Sequence, residues 1–136
     1  MPEKRTLKKA RAAKRAGKSP TTQAGEFVHE EIKHVREGKH GARSAKQAIA
    51  IGLSKARRAG VKLPPPPHTA KASTRRSAAA ATRAAKRHAR PSAKRSRAMS
   101  RKLQREPKNT VSTKALSRQA KSAARRRRRT GASARS

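Results

Sequence analysis

Forty of the 136 residues are Lys or Arg and only six are acidic, all six being glutamate. The resulting formal charge of +34 repels itself and opposes compaction, so it points to a polyanionic partner that neutralises it. At one phosphate charge per about 1.7 Å of DNA duplex axis, that excess corresponds to roughly 17 base pairs.

Material for a large core is also scarce. Phe27 is the only aromatic residue, and the 32% hydrophobic fraction is dominated by Ala, which buries little area per residue. The chain has no Cys, which excludes a disulfide framework and Cys-ligated zinc. No apolar run approaches the ~18 residues of a membrane span, and the N-terminal stretch lacks the apolar segment of a signal peptide. These features predict a cytoplasmic protein located at the nucleoid.

Composition divides the chain into a basic N-terminal arm (residues 1–18), a foldable unit (19–63), a polyproline spacer (64–67) and an Ala/Lys/Arg-rich tail (68–136). The foldable unit holds most of the large aliphatic residues. Its first helix is expected to start between Ser19 and Thr22, where hydroxyls can cap free amides and Pro20 suits the first turn, and to end at Gly38. Val28, Ile32 and Val35 follow helical spacing and, with Phe27, supply the apolar face. The second helix is expected at Ser44, whose spacing to Gln47 has the capping-box pattern. Ala45, Ala48, Ile49, Gly52 and Ala56 trace its inner stripe, and Gly60 with Val61 reads as a left-handed C-terminal cap.

The fold class predicted is therefore all-α, a small antiparallel helical hairpin flanked by disordered basic N- and C-terminal tails. A hairpin of about 45 residues is close to the lower limit for a stable lone domain. Ile51 lies off the inner stripe, and Val61 and Leu63 are also available, so a homodimer forming a small four-helix bundle is one solution. The other is that Ile51 is a single exposed aliphatic. The tail is too charged to fold alone, although its Ala content favours helix once charge is neutralised.

Enzymatic readings lose most of their parts, because the chain contains no Asp and Glu30 and Glu31 are adjacent, about 100° apart around a helix. A solvated face is expected for both. His29 and His34 are five residues apart, and with His40 they complete no recognised metal-ligand spacing, so neither a metal nor a cofactor is expected. Base stacking on several aromatic rings is excluded with one Phe, which leaves phosphate contacts.

The residues expected to make those contacts are Lys8, Lys9, Lys14 and Arg15 in the arm and the series Arg83, Arg87, Arg90, Lys94, Arg97, Arg101 and Arg105 in the tail. That series recurs at three- and four-residue steps and would share one helical face if Pro91 starts a new segment. Arg125, Arg126, Arg127, Arg128 and Arg129 form the densest cluster, and Arg43, Lys46, Arg57 and Arg58 are the basic residues of the hairpin.

The runs Gly25-Glu26-Phe27-Val28, Lys39-His40-Gly41-Ala42-Arg43-Ser44, Lys46-Gln47-Ala48-Ile49-Ala50-Ile51-Gly52-Leu53-Ser54 and Ala56-Arg57-Arg58-Ala59-Gly60 resemble a bacterial domain of unknown function found in small basic proteobacterial proteins. The resemblance covers residues 19–66. It implies a bacterial, intracellular protein and brings no established activity. The tail separately is similar in composition to linker-histone tails and the bacterial proteins that imitate them.

The expectation is thus a non-enzymatic, histone-like, nucleoid-associated protein that binds the DNA backbone without sequence specificity. RNA binding or ribosome association is the alternative. A further alternative is a protein-binding adaptor, with Glu26, Glu30, Glu31 and Glu37 offering a negative surface.

Overall fold

In a computed structural model, which describes residues 2–87 and 92–135, six helices follow one another and no strand is formed among the described residues. They are α1 (Lys4–Arg15), α2 (Pro20–Arg36), α3 (Ala45–Arg58), α4 (Ala72–Lys86), α5 (Ala93–Arg105) and α6 (Thr113–Arg135). The protein is all-α, as its sequence predicts, but it is not a two-helix hairpin with disordered tails.

The central pair, α2 and α3, starts and stops where local chemistry dictates. Ser19 Oγ accepts the Thr22 amide and Pro20 occupies the first turn of α2. Ser44 Oγ accepts the Gln47 amide at the start of α3. The reciprocal contact is displaced by one residue, since Gln47 Oε1 accepts the amide of Arg43 and not that of Ser44. Gly38 and Gly60 adopt φ values of +75° and +96° just past the two helices. Val61 N–H donates to the Ala56 carbonyl at 3.0 Å and Gly60 N–H to Arg57 at 3.1 Å, which completes a Schellman cap.

The core consists of two small clusters along this pair. Phe27, Ala24, Ala56 and Ala10 form one, with Leu7, Leu53, Val61 and Leu63 packed around them. Val35, Ala42, Ala48 and Val111 form the other, with Ile32 and Leu116 at its margin. Val61 and Leu63, expected to be available to a second copy, are thus engaged within the chain. Their strand of backbone folds back over Phe27, and Arg57 holds it there by donating to the Leu63 and Pro64 carbonyls.

The N-terminal arm is a helix docked on α2, not a free tail. Leu7 and Ala10 reach the Phe27 cluster. The side chain of Glu3, the N-cap position of α1, caps nothing. Glu30 of α2 supplies that function instead: its Oε1 accepts both the Glu3 amide at 2.7 Å and the Thr6 hydroxyl at 2.9 Å. A carboxylate there also complements the positive end of the helix dipole.

The C-terminal part is helical because Ala-rich sequence has high intrinsic helix propensity and because Ser92 and Ser112 supply caps for α5 and α6. It is held to the hairpin in three places, one of them α6, whose Leu116 packs at the Val35 and Ala48 cluster. Helix α4 packs on α3 and buries Ala81 and Ala84. Farther on, residues 103–111 run against the 39–42 loop. Gly41 and Ala42 donate their amides to the Leu103 and Pro107 carbonyls, at 2.8 and 2.9 Å, and the Thr110 hydroxyl donates to Ala42. Gln104 donates to the Lys39 carbonyl, Arg36 donates to the Val111 carbonyl, and Leu103 and Val111 are buried.

Candidate nucleic-acid interface

The acidic residues are drawn toward the scaffold. Glu30 and Glu31 are only 4% and 1% exposed, so they are not the solvated face that adjacency suggested. Glu31 pairs with Lys55 of α3, and His40 Nε2 lies 3.3 Å from its other oxygen. On the surface, Glu3 contacts His34 at 2.9 Å and Lys39 at 3.9 Å, while Glu37 pairs with Lys33 and Lys39. The hydrogen bond from His34 is the main reason that the Glu3 carboxyl lies below its ordinary pKa. The negative surface expected from Glu26, Glu30, Glu31 and Glu37 is therefore largely dismantled: its two central members face inward.

The basic residues point the other way. Lys8, Lys9, Lys14 and Arg15 of α1 are all exposed. Docking of Thr6 and Ala10 orients the helix so that Lys4, Lys8, Arg11 and Arg15, at i, i+4, i+7 and i+11, form one outer stripe. Lys4 and Arg11 were not singled out in the sequence, although their spacing would have revealed them once α1 was known to be a helix.

The series from Arg83 to Arg105, expected to share one helical face if Pro91 starts a new segment, falls on two helices. Arg83 and Arg87 are exposed at the end of α4, and Arg90 lies outside the described residues. Lys94, Arg97, Arg101 and Arg105 are exposed on one face of α5, whose start is set by Ser92. Ser92 caps the start of the new helix, and Pro91, like Arg90, lies outside the described residues.

Arg125 to Arg129 are exposed on α6. Five consecutive residues at 100° intervals surround the helix and do not share a face. In the hairpin, Arg43, Lys46 and Arg58 are exposed, whereas Arg57 is partly buried and committed to the Leu63 and Pro64 carbonyls. Burial lowers the Arg57 pKa. Arg57 is thus a clamp on the spacer.

Fold and surface together define a small all-α protein with a lightly built, Glu-stabilised scaffold and cationic helices around it. Residues 11–66 match DUF6496, a family of unknown function. The match takes in the second half of α1, both central helices and most of the polyproline spacer, and so extends the resemblance noted for residues 19–66 into the N-terminal arm. No curated protein and no solved structure matches the chain. No helix among the described residues is long and apolar enough to cross a membrane.

Proposed function

We propose that this is a non-sequence-specific DNA-binding protein of the nucleoid-associated, histone-like kind, which binds the phosphate backbone through basic stripes on its outer helices. The observation that carries the reading is the separation of charge: the two central glutamates are buried, two others are paired at the surface, and Lys and Arg line the outside of α1, α4, α5 and α6. A surface of predominantly one sign attracts a polyanion over most of its extent. Arg side chains at helical intervals suit phosphates spaced along a groove, and the absence of aromatic platforms leaves little means of reading bases.

The test is binding of the intact chain to duplexes of unrelated sequence over a range of salt concentrations. With some ten phosphates neutralised, log affinity should fall against log salt with a slope near −9. Replacing Lys94, Arg97, Arg101 and Arg105 by Gln should make that slope shallower by about 3 to 4, without altering sequence preference. Strong dependence on base sequence, or an unchanged slope, contradicts the reading. Duplex RNA measured in parallel decides between the two nucleic acids: DNA should bind more tightly at equal salt.

A further inference from the structure

We propose that Glu31, His34 and His40 form a binding site for a divalent transition-metal cation of the zinc class. One ligand atom from each lies within 4.8 Å of the others. Glu31 and His34 are three residues apart on α2 and so share a face, and the turn at Gly38 brings His40 back over them.

The independent sign of a missing ligand is the Glu31 carboxylate. Glu31 is 1% exposed and its Oε1 is satisfied by Lys55, but its Oε2 has no hydrogen-bond partner. A buried, unsatisfied carboxylate oxygen is costly. His40 Nε2 lies 3.3 Å from it, in contact but not in hydrogen-bond geometry. On the other side of that ring, Nδ1 lies 2.9 Å from the Gly41 carbonyl oxygen. A proton on Nδ1 satisfies that carbonyl and leaves the Nε2 lone pair facing the Glu31 lone pair. Two facing lone pairs call for a cation, either a proton or a metal ion, and zinc binding requires the latter.

The spacing of the Glu31 and His40 ligand atoms fits a metal ion. With zinc bonds of about 2.0 to 2.1 Å, adjacent ligand atoms of a tetrahedral site are about 3.3 Å apart. The Gly41 carbonyl behind His40 is the outer contact that commonly fixes the tautomer of a metal-binding histidine. Imidazole nitrogen with one carboxylate oxygen favours zinc over magnesium or calcium. His34 Nε2 is held by Glu3 at 2.9 Å, so Glu3 either orients that ring or adds its oxygen to the ion. Lys55 and Lys39, the cations nearest these carboxylates, oppose binding and set a modest affinity. A bound ion would tie α2 to the 39–42 loop, and hence to residues 103–107, which that loop holds.

The experiment is a titration of the full chain with zinc alone, followed by calorimetry and by the imidazole resonances in NMR. One equivalent should bind, and the His34 and His40 rings should respond together while those of His29 and His68 stay in place. His40→Ala should weaken the affinity at least about tenfold and His29→Ala should leave it unchanged. Equal response of all five histidines, full affinity in His40→Ala, or no response at His34 and His40 overturns the proposal. The resonances of the unsubstituted protein decide the matter even if His40→Ala folds poorly.

Discussion

Gly52 stands where α2 and α3 approach closely: a Cβ there would lie 2.6 Å from the Val28 Cα. Gly52→Ala must therefore push the helices apart, and the expected loss is about 1 to 3 kcal/mol, read from the denaturation midpoint. Gly25 is the matching control. It is exposed on α2 with open space around its would-be Cβ, so Gly25→Ala should stabilise by roughly 0.5 to 1 kcal/mol. Removing Lys55 should leave the Glu31 carboxylate buried without its strongest partner, and Lys55→Met should cost about 3 kcal/mol by the same measurement. Glu3 governs the acid response of the α1 end. Its folded pKa lies below the ordinary 4.5, chiefly through the His34 hydrogen bond, so the contact contributes fully above that value and is lost as pH falls through the depressed one. An NMR titration should show the Glu3 carboxyl protonating below pH 4.5 and the His34 contact lapsing with it.

At the scale of elements, two attachments invite separate tests. Glu30→Ala removes the acceptor shared by Glu3 and Thr6, so α1 should undock and trypsin should cut at Lys8 and Lys9 faster while α2 and α3 stay protected. Leu103→Ala should release residues 103–111 in the same local manner, with faster cleavage at Arg105 and Lys108 and little change in the global midpoint. What was legible in the sequence was short-range: the Ser19 cap, the Gly38 and Gly60 ends and the inner stripe of α3 all depend on residues within a turn or two of each other. The dockings were not legible because their partners are distant. Glu30 meets Glu3 across 27 residues and Arg36 meets Val111 across 75. Leu7, Leu103 and Val111 stand alone among basic and small residues in the sequence, and only their packing in the fold shows them to be anchors. The same limit applied to the histidines. His29 and His34 could be compared along one helix, but Glu31 with His40 required the turn.

For the molecule as a whole, the opposing facts are a formal charge of +34 and a core of mostly Ala. Such a protein should be more stable in moderate salt than at very low ionic strength, because screening relieves repulsion among the outer helices and barely touches the buried Glu31–Lys55 pair. Thermal melts across ionic strength should rise and then level. Duplex DNA should raise the melting temperature further at low salt, in a concentration-dependent way, if it binds the folded form. The attachment of residues 103–111 to the 39–42 loop has one more consequence. Helix α5 runs directly into that attachment, so its four-residue basic stripe is held at its C-terminal end. A helical stripe anchored at one end has less conformational freedom left to surrender when it meets a polyanion. It should engage phosphates as a preorganised clasp, with a smaller entropic penalty than an equal number of charges on a loose chain.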